Sequence, residues 1–147
     1  LTPVVNRTFV SSSVIDRPSP CASLPADGKS RLDRKVKAFT NGKNRIIRIT
    51  DDPPENSCKP SVDYLFRSVA EHYVGRATGV IMTGMGSDGT KGAELLKKSG
   101  SFIIAQDEDS CTVFGMPKDV IESNLADIVL SLDKIPVEIV NTVKGPH

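Results

Sequence analysis

Over residues 1–35 the apolar positions fall in isolated pairs, Val4-Val5, Phe9-Val10 and Val14-Ile15, with no sustained period. Pro3, Pro18, Pro20, Pro25 and the run Ser11-Ser12-Ser13 lie among them. This pattern predicts one or two short strands at most, then a Pro/Ser loop. Order sharpens from Lys35 onward. Residues 35–40 and 45–50 are β-prone runs flanking Asn41-Gly42, a dipeptide that readily takes the positive φ angles of a tight turn, so a β-hairpin is expected. The second run sets Arg45, Ile47 and Ile49 against Ile46, Arg48 and Thr50, which segregates its two faces only in part. Asp51-Asp52-Pro53-Pro54 stops it, because consecutive prolines cannot continue a ladder.

Pro60 and Ser61 open a helix in which Val62, Leu65, Phe66, Val69 and Tyr73 recur on one face, and Gly75 ends it. Residues 77–83 follow with Val80-Ile81-Met82 continuously apolar, as in a strand buried on both faces of a parallel sheet. A glycine-rich segment, 84–89, leads into a helix over 90–99, stopped by Gly100, and then an apolar strand over 101–106. Strand, tight loop, helix and strand form a βαβ unit, which predicts parallel strands with a right-handed crossover. After the acidic loop Asp107-Glu108-Asp109, residues 111–114 read as extended or turn. Pro117 suits the first turn of a helix to about Ser123. Residues 126–130 read as a short strand, and Asp133 is placed to cap a last helix to about Val143, with Pro136 tolerated in its first turn. No internal repeat is visible. The expected fold is α/β: a mainly parallel, Rossmann-like, three-layer sheet with flanking helices, plus the hairpin.

Composition narrows the function classes. The chain has 147 residues, one domain's worth, with 38% hydrophobic and 25% charged positions, which suits a folded soluble protein. Nineteen basic residues nearly cancel eighteen acidic ones, and the net charge of +1 without a dense basic run argues against nucleic acid as the main partner. No apolar run reaches membrane-spanning length, so no membrane insertion is expected. Cys21, Cys58 and Cys111 are too widely spaced for a disulfide framework or a CxxC metal site, which points to a reducing, cytoplasmic setting.

The loop 84–89 is the best candidate for chemistry, since in parallel sheets reacting groups gather where strands end and helices begin. Gly84, Gly86 and Gly89 let the backbone turn sharply, and amides at the helix start can face an anion. Three readings remain open from spacing. The loop formally matches the G-x-G-x-x-G of a nucleotide site, with Asp107 to Asp109 at about the distance of a ribose ligand, although Asp88 would repel a pyrophosphate. Alternatively it delivers Asp88 as the acid of a catalytic constellation. The structural alternative is that Asp88 only caps the helix from Thr90.

Four blocks, in order, carry a resemblance. They are Thr50-Asp51-Asp52-Pro53-Pro54; Lys59-Pro60-Ser61-Val62-Asp63-Tyr64-Leu65-Phe66-Arg67-Ser68; the run 79–89 (GVIMTGMGSDG); and the run 105–117 (AQDEDSCTVFGMP). Over about residues 36–144 the chain resembles the chemotaxis protein-glutamate methylesterase family. The resemblance implies a domain that hydrolyses γ-glutamyl methyl esters on the cytoplasmic helices of methyl-accepting chemoreceptors, in some members deamidating glutamine as well. It implies a Ser-His-Asp triad with no cofactor and no metal. The triad acid falls on Asp88, and the oxyanion-stabilising backbone amide on Met85. A receiver domain is expected in the full-length protein.

The family's nucleophile lies in a Gly-Ala-Ser-Thr-Gly-Gly-like loop with its His after the next strand, and neither motif occurs among these residues. Ser11-Ser12-Ser13 lacks glycines and opens no helix. His72 reads as a boundary residue late in an amphipathic helix, His147 as a terminal one, and Cys111 as a small packed side chain rather than an activated thiol. The expectation is a leading segment, 1–35, followed by a partial methylesterase-like domain, 36–147, with the family's N-terminal strands missing or replaced. Two functions remain open beside nucleotide binding: the C-terminal part of an esterase, or a non-catalytic relative that binds receptor or signalling partners. A partial sheet also predicts homodimerisation, strand exchange or marginal stability.

Overall fold

The computed structural model describes residues 8–11, 35–41, 44–55, 58 and 60–144. Ser12, Ser13, Cys21 and His147 lie outside the described residues. The elements in chain order are β1 (Thr8–Ser11), β2 (Lys35–Asn41), β3 (Asn44–Thr50), α1 (Val62–His72), β4 (Ala77–Ile81), α2 (Thr90–Lys98), β5 (Phe102–Gln106), α3 (Met116–Glu122), β6 (Ile128–Leu130) and α4 (Ile135–Lys144).

β4 and β5 pair in parallel from Thr78↔Phe102 to Ile81↔Ala105, as the βαβ pattern required. β6 joins β5, and β1 joins the other side of β4, giving the parallel order β1-β4-β5-β6. Every residue of β4 is buried, which explains its unbroken apolar run. Alternation along the strands divides the core into two layers. Ala77, Ile81 and Ile103 pack with Val62, Phe66 and Val69 of α1, Leu96 of α2 and Val120 of α3. Val80 and Ile104 pack on the opposite face with Ile135 of α4. The sheet is therefore sandwiched between helices, in the three-layer α/β arrangement expected.

Two ends differ from the sequence pattern. The strand predicted over 77–83 stops at Ile81, because Thr83 turns aside to bond a side chain and a neighbouring loop. The last helix begins at Ile135, with Pro136 in its first turn as expected, while Ser131 holds the Asp133 carboxyl below its ordinary range by a hydrogen bond.

The hairpin β2–β3 forms a separate antiparallel pair running from Lys35↔Thr50 to Asn41↔Asn44. It docks on α1 through Ala38 and Val36, which pack with the core face of that helix, and through polar contacts. The Ala38 amide donates to Ser68 Oγ at 2.9 Å, and Lys35, itself buried, places its ammonium 4.2 Å over the Tyr64 ring and 3.7 Å from Glu55. Glu55 receives both guanidinium nitrogens of Arg67 at 2.6 and 2.7 Å. The partial segregation of β3 has a consequence: Ile47 and Ile49 remain 72% and 60% exposed.

α1 and α2 approach so closely that Gly92 has no room for a side chain. A Cβ there would lie 2.6 Å from Phe66 Cβ and 3.1 Å from Asp63 Cα. In an exposed helix Gly→Ala gains about 1 kcal/mol. Here we expect Gly92→Ala to lose about 1–3 kcal/mol, since backbone rather than a flexible tip blocks the space. Urea unfolding of the two proteins checks the sign.

Candidate active site

The loop 84–89 leaves the C-terminal end of β4 and is braced from the segment after β5. Gln106, at the end of β5 and buried, accepts from the Thr83 amide at 2.9 Å through Oε1 and donates to the Ser110 carbonyl at 2.7 Å through Nε2. The Thr83 hydroxyl donates to the Val113 carbonyl at 3.2 Å and accepts from its amide at 2.8 Å. Gly84 forms a parallel bridge with Phe114, and its carbonyl accepts from the Gly115 and Met116 amides. A Cβ at 84 would lie 2.4 Å from Met116 Sδ, so a side chain there would have to displace the Met116 thioether. Gly86 and Gly89 hold φ of 86° and 107°, the left-handed region where glycine carries no steric cost.

Asp88 does not cap its own helix. The N-cap of α2 is Gly89, which offers no side chain. The Asp88 carboxylate instead reaches the N-terminus of α1: Oδ2 accepts from the Val62 amide at 2.7 Å, and Oδ1 from the Asp63 amide and Ser61 Oγ, both at 3.0 Å. Ser61, the N-cap of α1, also accepts from the Tyr64 amide at 3.3 Å. The first helical turn thereby has its orphan donors satisfied largely from a loop 25 or more positions away. The local-cap reading is thus corrected, and the physical reason is the left-handed Gly89 between Asp88 and Thr90.

The contact is returned. Asp63, on α1 and 3% exposed, accepts from the Gly89 amide at 3.0 Å and the Gly92 amide at 2.7 Å, both on Oδ1. Burial raises its pKa; the Gly92 and Gly89 hydrogen bonds oppose the rise, and the nearby Asp88 charge adds to it. Asp63 was not singled out from the sequence. The available signal was a carboxylate in the first turn beside Val62, at the border of the apolar face. These bonds also answer the nucleotide reading. The amides a phosphate needs at the start of α2 are already taken by a carboxylate of the protein itself. Asp107, the first of the proposed ribose ligands, accepts from the Ser110 amide at 3.0 Å and so closes a local turn.

Two adjoining clefts flank Asp88. One, of about 560 Å³, is bounded by Cys58, Val62, Thr83, Met85, Val113 and Met116; the other, of about 390 Å³, by Cys58, Asp63, Gly86, Ser87 and Lys91. Asp88 and Met85 line both. Met85 is 87% exposed at the lip, and its amide has no acceptor among the described residues. Burial and the Asp88 and Asp63 charges raise the Cys58 pKa, while burial and Asp107 raise that of Cys111, so neither is an activated thiol.

His72 is remote from this cluster. It ends α1, whose start carries the Asp88 contacts, so about 15 Å of helix separates them. Its ring meets Phe39 edge-on at 6.0 Å. Ser11 closes β1, paired with Val80, at the sheet end from which the 84–89 loop departs. Among the described residues no group of three or more His, Cys, Asp or Glu side chains could hold a metal ion, and no helix is long and apolar enough to cross a membrane.

Residues 21–139 match the family model for CheB methylesterase. The chain belongs to the CheB methylesterase family. Over 110 residues it is 62% identical to the protein-glutamate methylesterase/protein-glutamine glutaminase of Desulfotalea psychrophila, covering 75% of this chain and 30% of that protein. Over 95 residues it is 50% identical to the Paraburkholderia xenovorans protein of the same name, covering 65% of this chain and 26% of the relative. The crystal structure of the Thermotoga maritima CheB methylesterase catalytic domain superposes with a TM-score of 0.72 at 38% identity, covering 75% of this chain and 58% of that domain. The chain thus spans about 30% of the length of its CheB relatives.

Two outcomes follow from the site's electrostatics. Asp88→Ala strips three bonds from the start of α1 and should cost about 1–3 kcal/mol, measured by urea unfolding. The Arg67 hydrogen bond lowers the Glu55 pKa below its ordinary 4.5, against a smaller opposing effect of burial. A lowered carboxylate contributes stability above its unfolded pKa that is lost as pH falls through the folded one. Glu55→Gln should therefore flatten the acid limb of stability below about pH 4.5 and cost about 1 kcal/mol or less at neutral pH, which unfolding midpoints across pH will show.

Proposed function

We propose that residues 36–147 are the C-terminal part of a CheB catalytic domain that hydrolyses γ-glutamyl methyl esters on the cytoplasmic helices of chemoreceptors. Asp88 is its triad acid, and the Met85 amide is an oxyanion donor. The observation that carries the reading is the state of the Asp88 carboxylate. An ionised carboxylate has about four acceptor positions. Three are filled by the start of α1, two on Oδ1 and one on Oδ2, leaving one on Oδ2 among the described residues. A carboxylate fixed from one side and open beside a cleft is what an imidazole N–H needs in order to be held in one tautomer.

The serine and histidine come from chain outside residues 36–147. The serine oxygen attacks the ester carbonyl while the histidine takes its proton. The Met85 N–H stabilises the oxyanion, and the protonated histidine hands its proton to departing methanol. Water then attacks the acyl-enzyme by the same route and releases the glutamate carboxylate. With a glutamine side chain the leaving group is ammonia, consistent with the glutaminase half of the relatives' names. In this reading the site works in the cytoplasm, where the receptor helices lie.

Replacing the matching segment of the Thermotoga maritima catalytic domain with residues 36–144 of this chain tests the proposal. The graft should release methanol from methylated receptor, and Asp88→Ala in it should lower kcat by about 10³–10⁴. A folded graft that binds receptor without releasing methanol would assign the segment to binding instead. Methanol release by this chain alone would overturn the external origin of serine and histidine.

A further inference from the structure

Every group assigned a chemical role so far lies on the loop 84–89, and the Asp88–Gly89 end of that loop meets Asp63 at both its main chain and its carboxylate. The geometry points to Asp63 as a positioning residue for the site, an inference that rests on the methylesterase reading. Asp63 occupies the first turn of α1 and is 3% exposed. Its main-chain N–H donates to Asp88 Oδ1 at 3.0 Å, while its own carboxylate receives the amide of Gly89, the residue after Asp88, at 3.0 Å. One residue therefore grips the triad acid twice, once at the carboxylate and once at the adjoining backbone. The second bond to the same Oδ1, from the Gly92 amide at 2.7 Å, anchors that grip in the first turn of α2.

Gly89 most needs such an anchor. Its φ of 107° is a conformation that the sequence on either side does not enforce, and a rotation there swings Asp88 relative to α1 and Met85 together. Without the Asp63 acceptor the Gly89 and Gly92 amides face a buried space unpaired, and the loop relaxes toward other partners. A displacement of about 1 Å at a triad acid is enough to lower a rate by orders of magnitude, because the imidazole is then held off line. Asp63 touches neither substrate nor imidazole in this scheme; it acts through Asp88 and Gly89.

Because both amides bond to Oδ1, an amide side chain retains the required acceptor. The Thermotoga graft carrying Asp63→Ala should lose at least about tenfold in kcat with KM within about twofold, since positioning of the acid affects the transition state more than binding. Asp63→Asn should recover most of that loss. A folded Asp63→Ala graft with unchanged kcat, or an Asp63→Asn graft no better than Asp63→Ala, would overturn the assignment. Amide exchange on the full 147-residue chain is the second readout. In Asp63→Ala, the Gly89 and Gly92 amides should lose protection at least about tenfold more than Leu96 in the same helix, whereas general destabilisation lowers all three together. Should the graft with Asp63 intact release no methanol, the methylesterase reading fails, and the exchange experiment still decides whether Asp63 holds the loop.

Discussion

The start of α1 and the start of α2 meet head to head, and each supplies the carboxylate that caps the other. Asp88 lies just before α2 and satisfies the amides of Val62 and Asp63; Asp63 lies in α1 and satisfies those of Gly89 and Gly92. Two negative charges placed this close repel, and burial adds to the cost for Asp63. They are tolerated because the positive ends of two helix dipoles and five donors converge on them. Breaking either side leaves amides without partners, at about 1–3 kcal/mol for each buried group. The packing of α1 on α2 obeys the same constraint. Gly92 is small because the Asp63 backbone must come near enough for its carboxylate to reach the α2 amides.

The four sequence blocks are pieces of this one arrangement. The block at 50–54 is tied to the next by the Tyr64 hydroxyl, which donates to the Asp52 carboxylate. Arg67 in that second block holds Glu55, fixing the segment that carries Cys58 to the cleft wall. Ser61 and Asp63 bind the third block through Asp88 and Gly89. The third block is tied to the fourth by Thr83, Gly84, Gln106 and Val113. No block is complete as a local structure, because several of its polar groups find their partners outside it.

That distribution explains what could be read from the sequence. The helices and the parallel strands were legible because periodicity and apolar runs are local properties, as at Val62, Leu65 and Phe66 or Val80 and Ile81. The strand-to-helix junction at 84–89 was legible too, since its glycines mark the turn from β4 into α2. Its wiring was not. Whether Asp88 caps Thr90 or a helix 25 residues upstream depends on the φ of Gly89, which no pattern of polarity records. Asp63 escaped notice for a related reason. A first-turn aspartate is so common as a dipole partner that its sequence position does not separate a solvent-exposed charge from a buried clamp. The end of β4 at Ile81 belongs with these, because the departure of Thr83 is decided by Gln106 and Val113, more than twenty positions away.

The double use of Asp88 bears on how its chemistry is understood. In the proposed methylesterase reading Asp88 orients an imidazole. Here the same two oxygens also hold the first turn of the helix that carries much of the core, Phe66 and Val69 included. Any side chain that fails to reproduce both oxygens therefore perturbs the acid's partner and its own support together, and the support loss alone would displace Met85 through the shared loop. Stability and geometry are coupled at this residue by construction of the fold. In that reading the coupling has a consequence for catalysis. Among the described residues helix donors fill three of the carboxylate's acceptor positions while Asp88 also lines both clefts, so in the proposed reading the imidazole reaches it from the clefts. A site of this kind positions its acid before any partner arrives, because the bonds that orient it are backbone bonds belonging to the core.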